Sequence, residues 1–459
     1  MGGLHGVMGF NFIVADREQS FLLPPDVREW LPEDHLAWLV LDATAQLDLD
    51  RFRCSYRADG HGRAAYDPAL MVALLLFAYC DGVSSSREIE RRCERDVAYR
   101  VVAANQRPDH ATLARFRTRH REAIAGLFIQ VLGLCSAAGM VRVGVVAIDG
   151  TRLAGNASSM QNRTRAQLEA EIAAQVEALL ATAEEVDARQ DAEHGADRGD
   201  EPPPRLRGRQ RRRARLAQVK AGLDAQEQAA QAAQDQRRRD YDAKRAAGDK
   251  VGRPPGVAPP RTGRGERRIN VTDPDSKVMK GLHSWIQGYN GQVLVGAGQL
   301  ILAQAITNEA ADNSSLHPVL HAARANLNTL ANNHRMRVLL GDSGYGGRRN
   351  LTQPSEPILL IATNSGRHKT GPKKADGKKF ADPTLNAMQA RLATPAARAL
   401  FRRRAPMVEP VFAQIKNRLG HRLRTRGLAN VSTEWDLITT SHNLLKYLRH
   451  THPAAVAGA

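Results

Sequence analysis

Cysteine is scarce in this chain, and the few cysteines present form no recognisable pattern. Only four occur among 459 residues, and no two are arranged as Cys-x-x-Cys. Their spacing gives no sign of a zinc site or of a disulfide framework. We therefore expect Cys54, Cys80, Cys93 and Cys135 to be small, buried, apolar residues.

Long apolar runs are missing as well. The most apolar stretch extends from Leu70 to Tyr79, whereas a helix needs about 20 residues to cross a bilayer. The first residues, Met-Gly-Gly-Leu-His-Gly, show no charged segment followed by an apolar one, so no signal peptide is evident. We expect an intracellular protein without a membrane partner, in which Leu70–Tyr79 is a core helix.

Acidic residues are too few to balance the basic ones. Lysine and arginine number 66 against 48 acidic residues, which gives a formal net charge of +18. Such an excess is typical of proteins that bind polyanions, nucleic acids above all. A ribosome-associated protein or a protein of membrane surfaces would also have this composition. The length and the 42 % hydrophobic content predict a substantial core and two or three domains.

The first part of the chain is predicted to be helical. Periodic apolar residues and capping signals predict helices over Leu36–Leu47, Pro68–Asp81, Ser86–Cys93 and Thr112–Leu134. The segment Pro108–Arg117 resembles the second half of a helix-turn-helix, so Arg115, Arg117 and Arg119 are candidate DNA contacts. An ordinary solvated helix face explains the same arginines equally well.

A long helical interruption follows a first predicted strand over residues 142–153. Residues 160–194 and 207–248 are rich in Ala, Gln, Glu and Arg, and their apolar residues repeat at spacings of three and four. This pattern predicts an antiparallel helical hairpin with weak packing. A Pro/Gly-rich basic loop is predicted over residues 249–266. Arg211, Arg212 and Arg213 are candidate DNA contacts of the hairpin, with a solvated charge run as the alternative.

Three carboxylates occupy distinctive positions in the remaining sequence. Asp149 ends the apolar run Val145-Val-Ala-Ile, Asp342 ends Val338-Leu-Leu-Gly, and Glu409 opens the amphipathic stretch Val408-Glu-Pro-Val-Phe-Ala-Gln-Ile-Lys416. Carboxylate oxygens are the ligands that Mg²⁺ prefers. Two such ions can stabilise both the attacking and the leaving oxygen of a phosphodiester displacement. Taken singly, each acid could equally be an ordinary strand-end or helix-start residue.

The order of elements around these acids predicts one mixed sheet. A hairpin is expected from Gln292–Val295 and Leu300–Ile306, which flank Gly296-Ala-Gly298. Further strands are expected at Arg337–Leu340 and Pro357–Ile361, and helices at residues 312–330, 384–402 and 405–419. Adjacent strands of such a sheet would bring Asp149 and Asp342 together.

These motifs, in this order, resemble those of DDE transposases of bacterial insertion sequences, in the Tyr-Arg-Glu-Lys signature group. The segments Arg268–Ser276 and Gln287–Gln292 are also typical of that family. Tyr66–Val72, Ser85–Glu90 and Pro108–Arg117 resemble the amino-terminal domain of InsH-type transposases. The resemblance covers roughly residues 20–125, 142–160 and 265–450.

The resemblance implies a fold class and a set of site residues. The fold would be α/β, with an RNase H-like mixed-sheet catalytic core, an all-helical amino-terminal DNA-binding domain and a helical hairpin insertion. Asp149, Asp342 and Glu409 would be the catalytic acids and would hold two Mg²⁺ or Mn²⁺ ions. Arg404 and Lys416 would position a DNA phosphate. The signature tyrosine is replaced by Phe401, which lacks the hydroxyl.

The resemblance also implies partners and an activity. The chain would bind terminal inverted repeats and target DNA, act as a homodimer in the DNA complex, and catalyse strand cleavage and strand transfer. Its location would be cytoplasmic, and nucleoid-associated when bound to DNA. The rival interpretations are a non-catalytic DNA-binding protein derived from a transposase and a metal-dependent nuclease without strand transfer.

The expected domain boundaries follow the same division. The amino-terminal domain would span residues 1–140, the catalytic domain residues 141–159 and 266–450, and the insertion residues 160–265.

Overall fold

The computed structural model describes residues 27–56, 65–194, 204–248, 254, 267–281, 284–330, 334–363 and 382–453. In the amino-terminal part of this range the chain forms α1 (Leu36–Ala45), α2 (Asp50–Arg53), α3 (Pro68–Cys80), α4 (Ser86–Arg95), α5 (Val97–Val102), α6 (His110–Arg119) and α7 (Arg121–Ala137). The predicted all-helical character of this region is confirmed. The short helices α2 and α5 were not predicted.

Helix α3 forms the centre of the amino-terminal helices. Pro68 is in the first turn, where its missing N–H is not needed, and the Asp67 side chain accepts a hydrogen bond from the Ala69 amide at 2.9 Å. Every residue from Met71 to Cys80 is buried. The prediction of a core helix for this apolar run is confirmed.

The predicted helix over residues 112–134 is wrong in one respect, because it is two helices. The break lies at His120, whose backbone has φ −107° and ψ 31°. His120 is buried and its ring packs 4.4 Å from the Phe116 ring and 5.6 Å from the Tyr56 ring. No Gly or Pro marks this position, so the break follows from aromatic packing that only the folded chain provides.

The strands are β1 (Val145–Ala154), β2 (Asn162–Arg163), β3 (Ile269–Asn270), β4 (Lys277–Lys280), β5 (Trp285–Val295), β6 (Ile301–Thr307), β7 (Val338–Gly341) and β8 (Ile358–Ile361). The main sheet has the order β4-β5-β1-β7-β8, and β6 also pairs with β5. Strand β1 is antiparallel to β5 and parallel to β7, and β7 is parallel to β8. The predicted mixed sheet and the β5–β6 hairpin are confirmed.

The insertion leaves and re-enters the core at one narrow point. Strands β2 and β3 pair antiparallel on either side of it, and between them lie α8 (Arg165–His194) and α9 (Pro204–Ala246). Arg165 bonds to Asp224 at 2.5 Å and to Glu227 at 2.6 Å, which holds the base of α8 against α9. The predicted helical hairpin is confirmed. Apart from Pro254, the predicted loop over residues 249–266 lies outside the described residues.

The remaining helices are α10 (Leu316–Asn328), α11 (Arg348–Thr352), α12 (Pro383–Ala393), α13 (Pro395–Phe401), α14 (Arg404–Leu419) and α15 (Leu428–Thr451). The predicted helix over 384–402 is broken at Thr394, which caps α13 through a bond from the Ala397 amide at 3.3 Å. The predicted helix over 312–330 begins as a 3₁₀ turn at Asn313, so Asp312 stays outside α10.

Helix α15 was not predicted and is central to the fold. It packs against α7, α3 and β6. Its polar residues Thr439, His442 and Asn443 are buried. Asn443 donates from Nδ2 to the Ile301 carbonyl at 2.7 Å and accepts from the Ile301 amide at 2.9 Å. These tertiary partners allow a polar segment to lie inside the core.

One hydrophobic core joins the amino-terminal helices to the sheet. Residues of α3, α7, β1, β7 and α15 belong to a single buried cluster. The arm formed by α8 and α9 instead has a small cluster of its own, which consists of Leu168, Leu216, Val219, Leu223 and Ile269. The expected boundary near residue 140 therefore does not separate two cores, and the division into three domains stays a proposal.

The cysteines only partly match their prediction. Cys80, Cys93 and Cys135 are buried, and burial raises the pKa of each thiol to about 12. Cys54 is exposed, because it follows the short helix α2 at the surface. Among the described residues, no helix combines the length and the apolarity that a bilayer crossing requires.

We expect the arm to be dispensable for folding. Replacing residues 165–266 by a short Gly/Ser loop would join β2 to β3 as a tight hairpin, because Arg163 is already paired with Ile269. The unfolding midpoint should fall by less than about 5 °C, equivalent to about 1–2 kcal/mol. Leu74→Ala in α3 serves as the comparison and should cost about 2–5 kcal/mol. A shortened chain that lacks a cooperative thermal transition would show that the arm belongs to the core.

Candidate active site

Asp149 lies on the central strand of the sheet. Strand β1 is flanked by β5 on one side, where Asp149 is paired with Val293, and by β7 on the other. The preceding residues Val146–Ile148 are fully buried, so the chain reaches Asp149 directly from the core. The Asp149 side chain keeps 19 % of its surface exposed. It is therefore largely enclosed but open to a ligand.

Asp342 follows the neighbouring parallel strand. Ala147 in β1 is paired with Leu340 in β7, and Asp149 and Asp342 each come two residues later. The Asp342 carboxylate accepts a hydrogen bond from the Gly344 amide at 2.9 Å, which fixes it at the start of a 3₁₀ turn. The parallel register thus brings the two predicted acids side by side. Asp342 directly follows the end of β7. Strand β1 instead continues past Asp149 to Ala154, because its pairing with β5 extends that far, so the prediction that this strand ends at Asp149 is wrong.

Arg404 connects Asp149 to Glu409. Its Nη1 donates to Asp149 Oδ2 at 3.0 Å, and its Nη2 lies 3.9 Å from Glu409 Oε1. Arg404 is the first residue of α14, so the helix that carries Glu409 also supplies the bridging cation. The Glu409 side chain is 65 % exposed, whereas that of Arg404 is 17 % exposed. The structure therefore gathers Asp149, Asp342, Glu409 and Arg404 at one place.

The electrostatics of Asp149 reflect this crowding. Burial raises the pKa of its carboxyl above the ordinary value, and the neighbouring Asp342 charge adds to the rise. The Arg404 guanidinium and the Gly150 amide act in the opposite direction. Burial also lowers the pKa of Lys416, and the Asp149 charge opposes that shift. Lys416 thus lies within electrostatic reach of Asp149.

The donor set fits a hard divalent cation. The acids offer only oxygen ligands, and two of them, Asp149 and Glu409, already lie on either side of one positive group, the Arg404 guanidinium. Within the described residues, no three His, Cys, Asp or Glu side chains are close enough together to form a closed metal site. Glu409 is the most separated of the acids, because Arg404 lies between it and Asp149. A metal ion bound by all three acids would have to displace or share the position of Arg404.

The candidate DNA contacts of the amino-terminal helices fall into two groups. Arg117 is buried at 7 % exposure and donates to the Tyr79 hydroxyl and the Ser84 carbonyl, each at 3.1 Å. It is thus a core residue, and its prediction as a DNA contact is corrected. Arg115 and Arg119 lie at the surface of α6. The Arg119 guanidinium stacks on the Tyr56 ring at 4.5 Å.

The remaining candidate residues belong to the arm and to α13. Arg212 and Arg213 are exposed on α9. Arg211 belongs to the same helix, and its side chain is outside the described part of the chain. Phe401 packs against the hydrophobic core and lines a cavity of about 430 Å³ beside Ala362 and Thr363.

A fourth acid, Asp312, was missed by the sequence analysis. It is buried at 9 % exposure and accepts hydrogen bonds from Asn290 and Gln292, each at 2.8 Å. Tyr345 donates to Gln292 in turn. Burial raises the pKa of Tyr345, and the charges of Asp312, Asp149 and Asp342 raise it further. Asn290 and Gln292 are two residues apart on β5, so their side chains face the same side of the sheet. Two amide side chains on one buried face of a strand were a sequence signal that a polar partner packs against them.

The fold and the site together define an RNase H-like protein with one acid on its central strand and a second directly after the neighbouring parallel strand. A Transposase domain (DUF772) family model matches residues 25–119, and a Transposase DDE domain model matches residues 261–444. The two matches cover more than half of the chain, which belongs to the DDE transposases of insertion sequences. No curated protein and no solved structure matches it.

Only two of the three predicted acids lie within a matched region. Asp342 and Glu409 lie within the region matched by the DDE domain, whereas Asp149 lies between the two matched regions. The long arm separates β1 from the rest of the sheet along the sequence. The pairing of β1 with β5 and β7 nevertheless returns Asp149 to the sheet that the DDE domain forms.

Arg404→Met should destabilise the protein in a pH-dependent way. Without the guanidinium the pKa of Asp149, already raised, rises further, so the ionised carboxylate becomes more costly to bury. We expect a loss of about 1–3 kcal/mol at neutral pH. The loss should shrink as the pH falls through the raised pKa, because the protonated acid needs no cation. Thermal unfolding followed from about pH 3, below the ordinary pKa of an aspartate, up to about pH 8 measures this dependence.

The control for this experiment is Arg403→Met, which removes an exposed arginine next in the chain. It should change the unfolding midpoint little at any pH. An equal loss for Arg404→Met at all pH values would contradict the role of Arg404 as the counter-charge of Asp149.

Proposed function

We propose that this transposase binds the ends of its insertion sequence and catalyses metal-dependent DNA cleavage and strand transfer. The observation that supports this most is that Arg404 lies between Asp149 and Glu409, while Asp342 lies close enough to Asp149 to raise its pKa. Like charges are costly to hold together without a counter-charge. An arrangement of this kind is expected where the acids serve to bind cations.

Enzymes of this family generally use divalent metal ions. Asp149, Asp342 and Glu409 are the residues that would hold Mg²⁺ or Mn²⁺, two ions in each active site. When bound, such ions stabilise negative charge on the oxygens that attack and leave the phosphorus.

The basic residues of α14 act on the DNA rather than on the metal. Lys416 lies seven residues after Glu409, a rise of about 10 Å along the same helical face. Its ammonium can hold a phosphate as a point charge but adds no metal ligand. Arg404 can form paired hydrogen bonds to a phosphate once its carboxylate partners bind a cation. Both residues would therefore orient the scissile strand against the acids.

The rest of the surface supplies contacts to the DNA duplex. The net charge of +18 attracts the phosphate backbone. Arg115 and Arg119 on α6, and Arg212 and Arg213 on α9, present guanidinium groups at the surface. We propose that α6 reads the terminal repeats, and that two copies of the chain hold the two ends. The protein would work in the cytoplasm, on the nucleoid.

Asp149→Asn, Asp342→Asn and Glu409→Gln should each abolish cleavage and joining while leaving DNA binding largely intact. Each change removes a ligand charge but almost no volume. We expect losses of at least about 1,000-fold. The measurement is the joining of a labelled element end to a plasmid, with a gel-shift assay for binding.

Asp50→Asn is the matched control for these acid variants, because Asp50 is an exposed acid of α2 that forms a surface ion pair with Arg53. It should retain full activity. An active Glu409→Gln protein would remove that residue from the catalytic set. Cleavage without joining would identify a nuclease, and binding without cleavage a DNA-binding derivative.

Lys416→Ala should slow strand transfer by about 10- to 100-fold, the value of one charge-assisted hydrogen bond to a phosphate. Divalent cation binding should be retained, because Lys416 is no ligand. Lys277→Ala, at an exposed position of β4, is the control and should behave as wild type. Single-turnover joining kinetics make the comparison, and an unchanged rate for Lys416→Ala would exclude the phosphate-positioning role.

A further inference from the structure

Asp312 lies beside strand β1 just after Asp149, and beside the 3₁₀ turn that follows Asp342. Gly150 comes directly after Asp149, and a Cβ placed on it would lie 2.8 Å from Asp312 Oδ1. Gly344 comes two residues after Asp342, and a Cβ placed there would lie 3.0 Å from Asp312 Oδ2 and 3.0 Å from Asp342 Oδ1. The absence of a side chain at these two glycines lets the Asp312 carboxylate approach both the backbone of β1 and the turn after Asp342.

The groups bonded to the Asp312 carboxylate are all donors. Oδ1 accepts from Asn290 Nδ2 and Gln292 Nε2, each at 2.8 Å, and Oδ2 accepts from Arg152 Nη2 at 3.0 Å. An ionised carboxylate has only acceptor sites, so it satisfies all three. An amide of the same shape would turn an NH₂ group toward one or more of these donors. The site therefore requires a carboxylate and not merely a polar side chain.

These bonds connect elements on both sides of the acids. Arg152 and Gly150 in β1 are paired with Asn290 and Gln292 in β5, so the donors to Asp312 come from two neighbouring strands. The loop after β7 is held from the same segment, because Asn313 accepts a hydrogen bond from the Gly347 amide at 3.0 Å. The segment Asp312–Asn313 thus ties β1 and β5 to the loop that carries Asp342.

We propose that Asp312 is a positioning residue that sets the placement of Asp149 relative to Asp342 for divalent cation binding. Its oxygens accept hydrogen bonds from Arg152, Asn290 and Gln292, so it acts through the backbone of β1 and of the turn after Asp342 and not as a ligand. The inference rests on the proposed function, because it presumes that these acids bind metal. Groups that orient metal ligands in this way commonly affect metal affinity about 10- to 100-fold when changed.

The test compares Asp312→Asn with Asp273→Asn in the full-length protein. Asp273 is also a buried carboxylate, and it accepts from the Tyr289 hydroxyl at 2.9 Å and from the Gly427 amide at 3.0 Å. Both variants lose a buried charge and should lose thermal stability. Mn²⁺ alone is the probe, titrated by electron paramagnetic resonance. Asp312→Asn should weaken Mn²⁺ binding at least about 10-fold, whereas Asp273→Asn should stay within about two-fold.

Gly344→Ala is a second variant that leaves every carboxylate in place. Its Cβ would lie 3.0 Å from an oxygen of each of Asp312 and Asp342, so these two carboxylates must move apart. It should weaken Mn²⁺ binding in the same direction as Asp312→Asn. It also decides the matter if Asp312→Asn does not fold.

The outcomes separate this inference from the proposed function. Wild-type Mn²⁺ affinity in a folded Asp312→Asn protein, or in Gly344→Ala where Asp312→Asn does not fold, would overturn the positioning role. The transposase mechanism would then stand, provided that Asp149→Asn still abolishes Mn²⁺ binding and DNA joining. A wild-type protein that binds no Mn²⁺ and joins no DNA would overturn both. Equal weakening by Asp312→Asn and Asp273→Asn would reduce Asp312 to a general contribution to stability.

Discussion

The proximity of two carboxylates carried by adjacent parallel strands is the constraint on which this structure depends. Asp149 and Asp342 are brought together by the register of β1 and β7, and the charge of Asp342 raises the pKa of Asp149, which makes the ionisation of Asp149 less favourable. The protein offsets this repulsion with one cation, Arg404, supplied by α14. The position of that helix, and therefore of Glu409 and Lys416, is linked to the charge of the strand ends.

A second layer of interactions maintains this arrangement from below. Asp312, Asn290, Gln292 and Tyr345 form a buried polar network beside the acids. Buried networks of this kind are stable only when each member has a partner. Substitutions in this network should therefore be tolerated as poorly as substitutions of the acids, although none of its members is a predicted metal ligand.

Much of the fold could be predicted because its signals are local. The apolar runs before Asp149 and Asp342 identified strands, and the parallel pairing of such strands places their ends together. The break at His120 and the helix α15 could not be predicted, because both depend on distant partners. His120 leaves the helix to pack among aromatic rings, and Asn443 is tolerated in the core because it bonds to Ile301.

The candidate active site likewise combines residues that local sequence motifs reveal and residues that only tertiary contacts reveal. Asp149, Asp342 and Glu409 stand in recognisable motifs, whereas Asp312 precedes a helix and shows its importance only through contacts about twenty residues away in sequence. The interpretation of Arg117 as a DNA contact could have been avoided from the sequence. Leu113, Phe116 and Arg117 share one buried face of α6, and the spacing of three and four already placed Arg117 on the apolar side.

The continuous core has a mechanical consequence for how this protein could handle DNA. Helices α3, α7 and α15 share their buried residues with the sheet, so α6 cannot swing relative to the acids without opening that interior. A hinge would cost the exposure of apolar surface, at about 25 cal/mol for each Å², and not merely the bending of a linker. A DNA end docked on the amino-terminal helices would therefore meet the acids at a fixed distance, and any large rearrangement would have to occur between copies of the chain.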